Sequence, residues 1–121
     1  MPIHSILLVD DSRTELHVLS ELLVRQGYRV RTAENGDEAL RRIAEEKPDL
    51  ILMDVVMPGL NGFQLTRTIT RDPRYADVPV IMCTSKGQET DKVWGMRQGA
   101  SDYVVKPVKA EELLAKIKAL G

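Results

Sequence analysis

With 121 residues, 43% of them hydrophobic, the chain has the apolar mass for one cored domain. Its 17 basic and 18 acidic residues leave a net charge of −1, which excludes a bulk electrostatic attraction to nucleic acid or to an anionic membrane. A single cysteine, Cys83, excludes an internal disulfide framework and suits a reducing compartment.

Elements follow one another in a regular alternation. SILLV (5–9) is a short, uninterrupted apolar run, the pattern of a buried strand. Leu16, Leu19 and Leu23 then form a helical stripe, ended by Gly27 at the position after the cap. YRVRTA (28–33) sets Tyr28, Val30 and Thr32 against Arg29, Arg31 and Ala33, which leaves one side wet and predicts an edge strand. Leu40, Ile43 and Ala44 make a second helical stripe between Asn35-Gly36 and Pro48. DLILMD (49–54) is a third strand, and Leu65 and Ile69 mark a helix after Gly62. Residues 72–79 form the longest irregular loop before VPVIMCT (78–84), the fourth strand. Val93 and Met96 mark a fourth helix before Gly99, with Val93 inward and Trp94 partly exposed. DYVVK (102–106) and the stripe Leu113, Leu114, Ile117, Leu120 close the chain.

Apolar strands covered on both faces and separated by helices predict an α/β fold: five βα units in a parallel sheet with right-handed crossovers. No apolar run approaches the ~20 residues of a membrane helix. The start, MPIHSILLVDD, lacks the basic stretch and small-residue cleavage site of a signal peptide. The expectation is a single cytoplasmic domain over residues 1–121.

The polar residues that end the strands carry the chemistry. The first strand ends in Asp10-Asp11, the third in Asp54, the fourth in Thr84-Ser85 and the fifth in Lys106-Pro107. All four lie at carboxyl ends, the edge of an open α/β sheet where ligands bind. The second strand ends in Thr32-Ala33-Glu34 and adds little, as expected of an outer strand beside the first. With the second strand taken as an outer edge beside the first, the order is 2-1-3-4-5, the order already known for flavodoxin-like sheets, with helices on both faces.

Three carboxylates meeting at one crevice repel; each pair at ~4 Å and an effective dielectric near 20 costs about 4 kcal/mol. Protonation or a cation relieves this. Asp10, Asp11 and Asp54 offer hard oxygen ligands without His or Cys, which favours Mg²⁺ over zinc. Two direct carboxylates and a backbone carbonyl suffice, because Mg²⁺ keeps waters. An Asp54 oxygen left free is then a nucleophile able to attack phosphorus. Lys106, the Thr84 hydroxyl and the ion would face the incoming phosphoryl oxygens, the positioning and charge stabilisation that phosphoryl transfer requires.

Each residue also has an ordinary reading. Asp11 or Ser12 suits the N-cap of the first helix, Asp54 alone suits a turn, and Lys106 and Thr84 alone suit a surface lysine and a loop hydroxyl. What sets them apart is their joint occurrence at four strand ends. Cys83 reads as a core thiol, His4 and His17 as surface residues, and Met53, Met57, Met82 and Met96 as packing. The arginines between 25 and 42, with the single aromatic Tyr28 among them, read as a solvated face.

Taken together, VDDS, LMDVVMPGLNG, CTS and YVVKP, in that order and spacing, resemble the receiver domain of two-component response regulators over essentially the whole chain. The resemblance implies that Asp54 is the phosphoacceptor, served by a histidine kinase. It implies Mg²⁺ ligation by Asp11, Asp54 and the Val56 carbonyl, with Asp10 acting largely through water. It assigns Thr84 and Tyr103 to the switch and Lys106 to the family's lysine position, and it makes the Lys106–Pro107 peptide cis. Phosphorylation then draws Thr84 toward the phosphoryl group, and Tyr103 turns inward. The face of helix four, strand five and helix five changes its partner binding. QETDKVWGMRQGASDYVVKPV (88–108) further resembles single-domain, chemotaxis-like regulators of type IV pilus twitching motility. Trp94 in that stretch reads either as a helix-edge packing residue or as an anchor for an output partner.

Three departures stand out. Val56 replaces the polar residue many receivers carry two positions past the phosphoacceptor, Lys86 puts a cation near the pocket, and Lys109 takes the N-cap of the last helix. The alternative is a Mg²⁺-dependent phosphatase of the haloacid dehalogenase type with Asp54 as nucleophile. Val56 stands where that chemistry wants an acid. A flavodoxin-like cofactor binder would want a phosphate loop after the first strand, where DDSRTE repels anions.

Overall fold

The computed structural model describes residues 2–121. Strands and helices alternate as β1 (Ser5–Val9), α1 (Arg13–Arg25), β2 (Arg29–Ala33), α2 (Gly36–Glu45), β3 (Leu50–Met53), α3 (Gly62–Arg71), β4 (Val80–Thr84), α4 (Glu89–Arg97), β5 (Asp102–Val105) and α5 (Ala110–Leu120). The sheet is parallel throughout, in the order β2-β1-β3-β4-β5. Its register aligns Val9 with Ala33 and Met53, Met53 with Met82, and Thr84 with Val105. The residues at and just past these five strand ends therefore meet at one rim.

The period of two along each strand sorts the core into two halves. Leu7, Val9, Ile51, Met53, Val80 and Met82 pack with Ala39, Ile43, Leu65 and Ile69 of α2 and α3. Ile6, Leu8, Leu50, Leu52, Ile81 and Cys83 pack with Leu16, Leu19, Leu23, Leu113 and Ile117 of α1 and α5. Both faces are covered, which is why the strands read as unbroken apolar runs. Each buried Leu or Ile contributes about 1.5–3 kcal/mol relative to exposure.

Helix starts are fixed by side chains. Ser12 caps α1 through the Glu15 amide, Asn35 caps α2 through the Glu38 amide, and Asn61 and Gln64 close a reciprocal capping box on α3. Lys109 stands at the α5 N-cap and makes no capping bond. Gly27 takes φ +93° just past the α1 cap, where a side chain would be strained.

Four expectations need correction. Ala44 is exposed, and Ala39 takes its place on the buried face of α2. Val93 and Met96 share a face as their spacing predicts, but that face is turned to solvent; α4 packs inward through Gly95. The reason is the bulk beneath it: a Cβ at Gly95 would lie 3.1 Å from the Tyr103 ring and 3.4 Å from Phe63. On β2 the arginine-bearing side is not simply wet. Ala33 is buried, and Arg31 donates to the Arg42 and Glu46 carbonyls, satisfying the end of α2. The loop over residues 72–79 is matched in length by residues 54–61, which join β3 to α3 at the rim.

Candidate functional site

Backbone bonds carry the ladder one residue past the strands. The Asp10 amide donates to the Ala33 carbonyl at 3.0 Å, the Asp54 amide to Val9 at 2.9 Å, and the Lys106 amide to Thr84 at 2.9 Å. These bonds set the side chains of Asp10, Asp54 and Lys106 at one crevice. A carboxylate oxygen from each of Asp10, Asp11 and Asp54 lies within 4.8 Å of the other two. Asp10 and Asp54 are buried; Asp11 is exposed.

Each buried carboxylate divides its oxygens. Asp10 Oδ1 accepts from the Ser12 amide at 2.9 Å, and Asp54 Oδ1 accepts from the Val55 amide at 2.8 Å. The remaining oxygens face Lys106, whose Nζ lies 2.6 Å from Asp10 Oδ2 and 3.9 Å from Asp54 Oδ2. Burial, then the charge of Asp10, pushes the Asp54 carboxyl above its usual range; Lys106, Thr84 and the Val55 amide pull against this without cancelling it. Burial draws the Lys106 ammonium down, but its bond to Asp10 and the charges of Asp54 and Asp10 together outweigh that and raise it. One ammonium thus stands against a cluster of three carboxylates and pairs with two of them. The excess negative charge, all-oxygen donors and an exposed Asp11 fit a hard divalent cation. The chemistry such an ion supplies is charge neutralisation beside the Asp54 oxygens.

Thr84 is buried, and its hydroxyl accepts from the Lys86 amide at 3.3 Å. Tyr103 lies inward, with its hydroxyl donating to the Lys86 carbonyl at 2.6 Å. Burial pushes that phenol up to about 12. The Lys106–Pro107 peptide is cis. Val56 is exposed and brings no polar side chain to the rim. Cys83 is buried beneath the site, and burial pushes its thiol up to about 12, which makes it inert as a nucleophile. His4 and His17 are exposed, away from the crevice; His17 faces Glu21 on α1.

Gly62 was legible in the sequence only as a helix start. In the fold it is part of the site's scaffold. A Cβ there would stand 2.0 Å from the Asp54 carbonyl oxygen and 2.8 Å from Val55 Cα, and the Gly62 amide donates to the Val55 carbonyl at 2.9 Å. The backbone of α3 is thereby pressed against the segment that carries the nucleophile candidate. Its sequence signal was a glycine directly after a capping asparagine, eight residues past a strand-end aspartate.

Comparison with known proteins decides the family. The response regulator receiver domain matches residues 6–118. This chain belongs to that family. The receiver is 55% identical to the protein PilH of Pseudomonas aeruginosa over 115 residues, covering 95% of each chain. It is 41% identical over 116 residues to the phosphate regulon transcriptional regulatory protein PhoB of the same organism, of which it spans about half: 96% of this chain and 51% of that one. Among solved structures, chemotaxis protein CheY4 of Vibrio cholerae superposes with a TM-score of 0.92 at 32% identity, over 98% of this receiver and 99% of that chain. A two-component response regulator from Clostridium difficile gives 0.91 at 26% identity, over 97% and 94%. The five-stranded order and the role of phosphoacceptor signalling module follow from this membership. These matches lend the phosphatase alternative no support. Receivers bind Mg²⁺ at the acidic pocket, and this one has the cluster of aspartates to do so.

Proposed function

We propose that Asp54 accepts a phosphoryl group from a histidine kinase and that the acceptance switches partner binding on the face formed by α4, β5 and α5. One observation carries the reading. Asp10, Asp11 and Asp54 converge within 4.8 Å, with the Lys106 ammonium among them, at the carboxyl rim of a receiver sheet.

An Asp54 oxygen attacks phosphorus, the P–N bond to the donor imidazole breaks, and the imidazole leaves with the electron pair. The amide of Val55 holds the other Asp54 oxygen, which fixes the direction of attack. Lys106 and the Thr84 hydroxyl neutralise and bind the arriving oxygens. Asp11, Asp54 and the Val56 carbonyl, with Asp10 through water, are the residues that would hold Mg²⁺. Tyr103 reports the switch: its buried ring, bonded to the Lys86 carbonyl, is one of two positions. The phosphoryl group shifts their balance only as far as it binds one better. The chain turns over no substrate beyond slow loss of its own phosphoryl group.

The receiver works in the cytoplasm over residues 1–121, in a pathway of the kind that governs type IV pilus twitching motility, with an output protein on the α4–β5–α5 face beside Trp94. Among the described residues no helix is long and apolar enough to cross a membrane. Incubation with a small phosphodonor and Mg²⁺, followed by intact mass, tests the chemistry. One phosphoryl mass is gained and is absent from Asp54→Asn; labelling that survives this substitution refutes the assignment. Lys106→Ala takes up phosphate but does not change partner affinity, and a normal switch in that variant removes Lys106 from the coupling.

A further inference from the structure

The two ends of α4 are tied by unlike devices. At the entering end, the Tyr103 hydroxyl donates to the Lys86 carbonyl at 2.6 Å, and the Lys86 amide donates to the Thr84 hydroxyl at 3.3 Å. At the leaving end, Gly99 takes φ +106° and closes the helix. The Ala100 amide donates back to the Gly95 carbonyl at 3.3 Å and the Gly99 amide to that of Met96 at 3.1 Å. These bonds leave out Gln98, the cap residue, which is buried. Among the described residues no backbone amide donates to its carbonyl. The donor comes from α3: Thr70 Oγ1 lies 2.8 Å from the Gln98 carbonyl oxygen, 28 residues apart in the chain. The same hydroxyl lies 2.9 Å from the Thr66 carbonyl and 3.5 Å from that of Arg67, and it has one hydrogen to give. Thr66 and Arg67 lie inside α3, where helix amides serve their carbonyls, so the hydrogen is needed at Gln98. Thr70 is also seated closely: a Cβ at Gly99 would stand 2.6 Å from its Oγ1 and 2.9 Å from its Cβ.

We propose that Thr70 is a positioning residue for the switch: its bond to Gln98 fixes the carboxyl end of α4 to α3, and the helix answers phosphorylation by moving at its amino end. This assignment rests on the reading of Asp54 as phosphoacceptor and of Tyr103 as the reporter of the switch, and it adds the fixed point. The unequal cost of releasing the two ends decides which one moves. Lys86 is exposed, so its carbonyl passes from the Tyr103 hydroxyl to water at little cost. Gln98 is buried, so its carbonyl, once parted from Thr70, is left unpaired away from water. The hydroxyl itself can fall back on Thr66; the carbonyl has nothing comparable.

Hydrogen–deuterium exchange of the whole chain, read by mass on peptides covering 86–93 and 95–101 with and without a small phosphodonor and Mg²⁺, tests this. In the native chain phosphorylation changes exchange over 86–93 and leaves 95–101 as it was. Thr70→Val keeps the branched shape and removes the donor. Its 95–101 segment exchanges about fivefold faster before any donor is added, and it gains a response to phosphorylation. Thr70→Ser keeps the hydroxyl and restores both native behaviours. A tie that merely closes the helix would speed the basal exchange in Thr70→Val without giving 95–101 a phosphorylation response, and that result overturns the proposal. So does Thr70→Ser behaving like Thr70→Val. Should Thr70→Val lose its circular dichroism, the native chain decides alone: a 95–101 segment that responds as strongly as 86–93 overturns the fixed end. Intact mass on the same samples keeps the two readings apart. Uptake of a phosphoryl group with a responding 95–101 segment sinks only the fixed end. Absence of uptake sinks the phosphoacceptor, and with it the movement that the fixed end serves.

Discussion

The Lys106 ammonium lies 2.6 Å from Asp10 and 3.9 Å from Asp54, so one cation serves two buried carboxylates across the rim. Removing one partner of such a pair leaves uncompensated charge away from water. Lys106→Met keeps the stem and removes the charge. It lowers stability by about 3 kcal/mol at neutral pH without divalent ions. Millimolar Mg²⁺ returns more stability to this variant than to the native chain, since the ion then meets three unopposed carboxylates. Urea unfolding with and without Mg²⁺ measures both effects, and an unchanged midpoint in the ion-free variant contradicts the pairing.

Asp54 has the opposite sign. Its carboxyl is held above the ordinary carboxylate range by burial and by Asp10, so the fold prefers it protonated. The corresponding stability is complete below the unfolded-state value, ~3.9, and is lost as pH rises through the folded-state value. Asp54→Asn therefore stabilises the ion-free receiver at pH 7, and its advantage shrinks toward pH 4. Urea midpoints at the two pH values read this directly. An advantage that grows on acidification reverses the assignment.

The strands and their rim were legible because burial on both faces leaves unbroken apolar runs, and because a polar residue directly after such a run marks a carboxyl end. Asp10, Asp11, Asp54, Thr84 and Lys106 were found that way. The α4 face was not. Val93 and Met96 have helical spacing, but spacing fixes only which residues share a face, and it took the inward bulk of Tyr103 to decide which face is buried. Gly62 and Gly95 escaped for a related reason: a glycine's role lies in what approaches it, and the Asp54 carbonyl and the Tyr103 ring come from elsewhere in the chain.

Gly62 gives a third prediction. A methyl group there would overlap the Asp54 carbonyl oxygen, a backbone atom that cannot rotate away. Gly62→Ala must push α3 from the β3–α3 loop or bend the loop itself. Overpacking of this kind costs about 1–3 kcal/mol. Because the displaced segment carries Asp54, phosphoryl uptake from a small donor falls more than the stability loss accounts for. Uptake at the native rate in a folded Gly62→Ala receiver shows that the loop tolerates the shift.

The last prediction concerns Gly95 and Tyr103. The ring leaves 3.1 Å for a Cβ on α4, tight for one methyl and too little for the branched side chain of valine. Gly95→Val therefore drives the ring out and breaks its hydroxyl bond to the Lys86 carbonyl, with a net loss of about 1 kcal/mol from that bond alone. Buried, the phenol is pushed up to about 12; in solvent it returns toward ~10. Spectrophotometric titration follows the change, and near pH 11 the variant has most of one further tyrosine ionised compared with the native receiver. Superimposable titration curves for the two folded proteins mean the ring has stayed inside, and α4 has moved to make room for the valine.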